Sequence, residues 1–354
     1  MKISEIDKNF ATKKVSDGEF DVYSLPCEPF GLYGCYHDPE YGFIKIPKAV
    51  AESISLGVAW GARCTGGVRI TFSTNSTKIG LKGRYFEKLL LGHMTFIGSS
   101  GFTLCETVNG KEEFLCNLFS DIVDKEQEFH FKAALKNDGK MHDYVIFFPL
   151  YSGVEQISVE LDRDSSVAKS DKYRGKKRVM YYGSSITQGA CAARPDNCYQ
   201  ALVSEWTDTD YCFFGFSGAA KAEPLMNEIL RDTPCDVFVC DYDYNAPTAE
   251  YLKETHIELY KTFRSKKENE SIPIIFLSKP NSLSEPEDKE RFEIIKQTYE
   301  YALARGDKNV RLICGMDLFP ADVKTHCCVD GCHPTDLGFY FMAKKVAEVL
   351  KEFI

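Results

Sequence analysis

Ser185 stands in Tyr181-Tyr182-Gly183-Ser184-Ser185-Ile186-Thr187-Gln188-Gly189, just after an apolar run and inside a glycine-flanked turn. A serine hydroxyl is a weak nucleophile at neutral pH and needs a base within hydrogen-bond reach. About 145 residues later, Asp330-Gly331-Cys332-His333 supplies a carboxylate and an imidazole three residues apart. At that spacing Asp330 can hold one ring nitrogen of His333, fix its tautomer and stabilise the imidazolium as it forms. Gly218, in Gly215-Phe216-Ser217-Gly218, offers a backbone amide with no side chain in the way, and Asn245 offers a side-chain amide. With the Ser185 amide, these are the donors that an oxyanion requires. The chemistry is acyl transfer, in the chain order Ser…Asp…His. Each motif alone has a plainer explanation: serines cap helices, and glycines and asparagines favour strand ends. The conjunction carries the weight.

Such groups converge only if the chain brings them to one edge. The second half alternates short apolar runs with amphipathic stretches. Strands are expected at 179–182, 211–214, 237–240, 274–277 and 310–313, and helices at 199–206, 224–231, 248–264 and 287–305. A last helix follows Pro334, with Met342, Val346, Val349, Leu350 and Phe353 on one face. This predicts a parallel sheet covered on both faces, with ligands bound beyond the carboxyl ends of the strands. Ser185, Gly218, Asn245 and His333 all fall there.

The first half, 20–162, reads differently. Val68-Arg69-Ile70-Thr71-Phe72 and Ile157-Ser158-Val159-Glu160-Leu161 alternate in polarity, and Tyr144-Val145-Ile146-Phe147-Phe148 is continuously apolar. Gly66-Gly67, Asn109-Gly110 and Asn137-Asp138-Gly139 punctuate these runs. The pattern predicts an antiparallel sandwich without intervening amphipathic helices. Polar residues from Ser165 to Lys177 mark the boundary, giving a β-sandwich domain at 1–165 and an α/β domain at 177–354.

Gly183-Ser184-Ser185-Ile186, Gly218, Asn245 and Asp330-x-x-His333 resemble, in order and spacing, the four blocks of the SGNH (GDSL-like) hydrolases. The resemblance implies a flavodoxin-like α/β/α fold and no metal or organic cofactor. It implies Ser185 as nucleophile, His333 as base, Asp330 as its partner, and Ser185, Gly218 and Asn245 as the oxyanion hole. Gly101-Phe102-Thr103-Leu104-Cys105 resembles a degenerate Gly-x-Asp-Leu-Tyr motif from the β-rich, jelly-roll-like domains that precede some of these hydrolases. Pro149-Leu150-Tyr151-Ser152-Gly153-Val154 is similar to another segment of them. Three departures stand out. Ser184 replaces the usual aspartate, Asp241-Tyr242-Asp243-Tyr244 puts bulk before Asn245, and Thr103 and Cys105 replace Asp and Tyr.

Composition narrows the partners. Of 354 residues, 44% are hydrophobic and 27% charged, an ordinary globular balance. The formal net charge of -9 and the lack of a basic block exclude nucleic acid as an expected partner. Residues 1–10 lack the apolar core of a secretory signal, and no run is long enough to span a bilayer, so no membrane partner and a cytoplasmic location are expected. The fourteen cysteines then read as reduced thiols. His326-Cys327-Cys328-x-x-x-Cys332-His333 gathers soft ligands, yet no second ligand pair stands elsewhere, so no metal is expected. A zinc on His333 would also exclude its use as a base.

Relatives with a β-rich leading domain imply carbohydrate esters. The expected substrate is an acetylated oligosaccharide or small glycoside, cleaved by O-deacetylation. Lipase-like or thioesterase action, or carbohydrate binding without catalysis, are the alternatives. Arg194, with Asp196 and Asn197 beside it, and Tyr244 are the candidate substrate contacts. Trp60, Tyr33, Tyr36 and Tyr41 could stack on sugar rings, but packing of the sandwich onto the hydrolase is the simpler role. The sequence leaves room for a homo-oligomer.

Overall fold

Alternation along single strands explains most of the architecture. In the strand His142–Phe147, Tyr144 and Ile146 point into the core of the sandwich, whereas Val145 and Phe147 join a second core shared with the C-terminal half. Burial on both faces is why this run reads as continuously apolar. The computed structural model describes residues 14–120, 126–280 and 286–354.

Two antiparallel sheets form the sandwich. One runs in the order Lys14–Asp17, Phe20–Ser24, Gly153–Asp162, Lys78–Glu87, Glu128–Ala134. The other runs Val167–Ala168, Arg69–Thr74, His142–Phe147, Phe102–Val108, Lys111–Leu118, with Gly31–Tyr33 also paired to Arg69–Thr74. The outer face of this second sheet rests on the C-terminal half.

The C-terminal half is a five-stranded parallel sheet, ordered Asp210–Gly215, Arg178–Gly183, Val237–Asp241, Ile274–Leu277, Val310–Ile313. With the second strand at the edge beside the first, this is the flavodoxin-like order. Val179 and Tyr181 face one core, and Met180 and Tyr182 the other. Helices Tyr199–Thr207 and Asp336–Leu350 cover the first face, together with the sandwich. Helices Pro224–Asp232, Ala249–Arg264 and Pro286–Ala304 cover the second.

The first half departs from expectation by containing helices. Lys48–Ile54 and Leu56–Arg63 are α-helical, and their Ala51, Val58 and Ala62 pack with Phe214, Phe216 and Ala219 of the C-terminal half. Their helical face is short, and the partner surface that completes it lies over 150 residues away in the sequence. The polar break at 165–177 does not isolate the cores on the parallel sheet: both of its faces include residues from before the break. All fourteen cysteines are free thiols. No helix among the described residues is long and apolar enough to cross a membrane.

Candidate active site

The strand Arg178–Gly183 ends in a tight turn. Ser184 caps a one-turn helix, Ser185–Gln188, by accepting from the Ile186 amide (3.2 Å), and Gly189 closes it at φ +94°. Ser185 is the first helical residue, so its amide lacks an intrahelical acceptor and points out of the turn. Gly183 is required by space: a Cβ there would lie 1.6 Å from Asp241 Oδ1. Asp241 is fully enclosed and accepts hydrogen bonds from Thr187 Oγ1 and, at 3.0 Å, from Tyr199 OH. Burial pushes its carboxyl up to about 8, against the pull of these two hydroxyls.

The loop before the last helix is braced by its own backbone. Val329 N donates to His333 O (2.9 Å), and Thr335 N to Cys327 O (2.9 Å). Thr335 also caps the helix at Gly338 N and donates to His326 O. This aims His333 back at the sheet edge. Its Nε2 lies 2.8 Å from Ser185 Oγ, and its Nδ1 lies 2.7 Å from Asp330 Oδ2. The other Asp330 oxygen accepts from the His333 and Cys332 amides at 2.8 and 3.1 Å. Partial burial opposes ionisation of Asp330, but these amides and the imidazole outweigh it and hold the carboxyl down at about 2. An ionised carboxylate only accepts, so the ring proton sits on Nδ1 and the Nε2 lone pair faces the serine. The sequence-predicted Ser185, His333 and Asp330 thus form one hydrogen-bonded chain, in which the imidazole can take the serine proton.

Gly218 lies at the end of the loop after Asp210–Gly215, at φ +70°, with nothing within 4 Å of where a Cβ would stand. Asn245 follows Val237–Asp241, and its Oδ1 accepts from Ala220 N at 3.4 Å, which leaves the NH2 group to face outward. Gln188, in the turn that carries Ser185, ties that turn to the Gly218 loop by accepting from Ser217 N at 2.9 Å. Ser185, Gly218, Asn245 and His333 therefore all lie beyond the carboxyl ends of the strands, as the chain pattern requires.

The two candidate substrate contacts differ. Tyr244 is exposed beside Asn245, with its hydroxyl near the Cys332 thiol and Lys279 Nζ 4.4 Å from its ring centroid. It stands at the rim between the third and last motifs. Arg194 is turned elsewhere: its guanidinium meets Asn197 and Asp196, each at 3.0 Å, and the Phe114 ring of the sandwich at 4.2 Å. Asn197 donates to Asp336 (2.9 Å). The contacts of this loop run to the sandwich and the last helix rather than to Ser185. Thr103 and Cys105, the altered positions of the Gly-x-Asp-Leu-Tyr-like motif, face the same loop, with Cys105 Sγ 4.0 Å from Asp196 Oδ2. Among the aromatics considered for sugar stacking, Trp60 donates to Glu87 (3.0 Å) and Tyr33 packs on Tyr173.

Two residues near the site were not anticipated. Lys45 is 2% exposed and donates from Nζ to Gly215 O at 3.2 Å, at the root of the Gly218 loop. His93 of the first half is exposed, with its ring centroid 5.4 Å from that of His333. Neither sits in a motif, so no local signal marks them. Cys327 and Cys328 donate to the carbonyls of Val323 and Cys332, and among the described residues no group of His, Cys, Asp or Glu is arranged to hold a metal ion. A cavity of about 750 Å³ lies away from these groups, on the sandwich between His37, Lys82, Glu128 and Gln156.

Residues 176–351 match the model of the GDSL-like lipase/acylhydrolase family. The chain belongs to that family. Residues 32–167 match the N-terminus of SGNH-hydrolase-type esterases. The fold is shared with a protein described as a GDSL-like lipase from Bacteroides ovatus (23% identity, TM-score 0.83, 94% of this chain and 98% of that one). It is also shared with the salicylyl-acyltransferase of a tetracycline biosynthetic pathway (16%, 0.78, 95% and 98%). A family two carbohydrate esterase from Clostridium thermocellum, solved with cellohexaose, is similar at 13% identity and TM-score 0.59, covering 82% of this chain and 93% of that one. No curated protein matches the chain.

Proposed function

We propose that this GDSL-like acylhydrolase is a serine esterase that removes short acyl groups, acetyl above all, from carbohydrate esters inside the cell. The observation that carries the reading is the unbroken chain Ser185 Oγ–His333–Asp330, at 2.8 and 2.7 Å. His333 takes the Ser185 proton as the oxygen attacks the ester carbonyl, and returns it to the leaving alcohol. The acyl-Ser185 intermediate is then released by water activated by the same imidazole. The Ser185 and Gly218 amides and the Asn245 side chain receive the oxyanion, each contributing about 10²–10³ in turnover.

Tyr244, exposed beside Asn245, adds bulk next to an oxyanion donor, which favours a short acyl group. The alcohol is less constrained. Carbohydrate is favoured because a protein of this fold that is named a carbohydrate esterase was solved with an oligosaccharide. An acetate-release screen over acetylated mono- and oligosaccharides, run beside aryl esters of increasing chain length, tests both halves of the reading. Acetate release from the sugars and a decline with acyl length are expected. Preference for long acyl chains would overturn the carbohydrate assignment in favour of a lipase-like one.

A further inference from the structure

The sandwich sends one polar side chain to the edge of the serine site, and its setting is built rather than incidental. Met94 N donates to Leu91 O at 3.0 Å, which closes a turn with His93 near its tip. Leu91 and Met94 on either side pack into the core that also holds Ile186, Cys191 and Phe339. His93, between two anchored neighbours, is itself exposed. The segment is fastened to the chain that follows the nucleophile: Cys191 Sγ donates to His93 O at 3.2 Å, and Thr95 Oγ1 donates to Ala193 O at 2.6 Å. Leu89, at the root, is held through Ser152, Ser99 and Ser100. The outcome is an imidazole 5.4 Å, centroid to centroid, from that of His333. No protein hydrogen-bond partner for the His93 ring stands among the described residues.

Chemistry says what occupies that place. His333 protonates the departing alcohol, so the alcohol oxygen must come within hydrogen-bond reach of Nε2, and the attacking water takes the same place in the second step. Besides the Ser185 amide itself, the oxyanion donors lie on the loops after Asp210–Gly215 and Val237–Asp241. A group beside His333 therefore meets the alcohol portion of the ester rather than its acyl portion. We propose that His93 is the alcohol-side contact of this site, hydrogen-bonding a hydroxyl of the sugar that carries the ester. This rests on the esterase reading above and assigns the sandwich a direct part in choosing the alcohol. A polyol presents a hydroxyl next to the ester oxygen, and an aryl leaving group does not.

The test compares mono-acetylated methyl glycosides with 4-nitrophenyl acetate in His93→Phe, which keeps a ring, and in His93→Gln, which keeps hydrogen-bonding capacity. Loss of one neutral hydrogen bond corresponds to about tenfold in binding. In His93→Phe, kcat/KM for the glycoside should fall about tenfold further than for the aryl ester, mainly through KM. His93→Gln should retain more of the glycoside activity than His93→Phe. The deacetylated glycoside should inhibit aryl acetate hydrolysis about tenfold less well in His93→Phe than in the unaltered protein. An equal fall on both esters, or no fall on either, would overturn the alcohol-side role. Unaltered protein without Ser185-dependent turnover of either ester would instead overturn the esterase reading beneath it.

Discussion

Asp330 shows how much one side chain is asked to do. One oxygen orders the loop through two amides, and the other holds the proton of His333 on Nδ1. Replacement by asparagine would turn an NH2 group toward Nδ1 and drive the ring proton to Nε2, the atom that accepts from Ser185 in the proposed mechanism. Asp330→Asn should therefore lower kcat by about 10³–10⁴ with little change in KM, and steady-state kinetics on an aryl acetate measure it. A loss confined to KM would mean that Asp330 does not set the tautomer. That Ser185, His333 and Asp330 meet was legible because acyl transfer restricts residue types and the turn chemistry around them is local. His93 and Lys45 were not. Each holds a position reached only by docking the first half of the chain on the second, and no spacing within the sequence encodes that.

The element that presents Ser185 depends on what lies beneath it. The turn after Arg178–Gly183 sits on the Asp241 carboxyl, which touches Thr187 and leaves no room for a side chain at Gly183. With Asp241 raised to about 8 by burial, the folded chain binds a proton that the unfolded chain has already released above the ordinary carboxylate range. Stability therefore falls through this group as pH rises from about 4 to about 8. Asp241→Asn, which mimics the neutral acid, should remove that component. Thermal unfolding at pH 5 and pH 8 should show a larger drop in Tm for the unaltered protein than for the variant, and equal drops would contradict the account. The strands and helices of this half were legible because each carries its own period: 274–277 and 310–313 match the expected strands residue for residue. Helices Lys48–Ile54 and Leu56–Arg63 were not, since their helical face is short and completed only by Phe214 and Phe216.

At the scale of the molecule the two halves share cores, and a buried ion pair crosses between them. Arg69, on the outer face of the sandwich, bonds Asp210 Oδ1 at 2.7 Å and Tyr211 O at 3.0 Å, with both charged side chains almost wholly enclosed. Its guanidinium lies 3.6 Å from the centroid of the Tyr211 ring. Removing one partner of such a pair leaves an uncompensated buried charge, which costs about 3–5 kcal/mol. Arg178 also bonds Asp210, at 2.8 Å, so Arg69→Met should fall at the lower end, about 3 kcal/mol by urea unfolding. A loss below about 1 kcal/mol would mean that the interface does not depend on this pair. An arginine in an alternating strand reads as solvent-facing from sequence. Only the docked partner makes its face an interior one.

All of this leads to a single oxygen atom. The direct measurement is turnover of 4-nitrophenyl acetate by Ser185→Ala, with folding checked by an unchanged unfolding midpoint. A fall in kcat on the order of 10⁶, leaving only the residual rate that the oxyanion donors and binding supply, is the predicted result. Undiminished hydrolysis by the alanine variant would contradict the account.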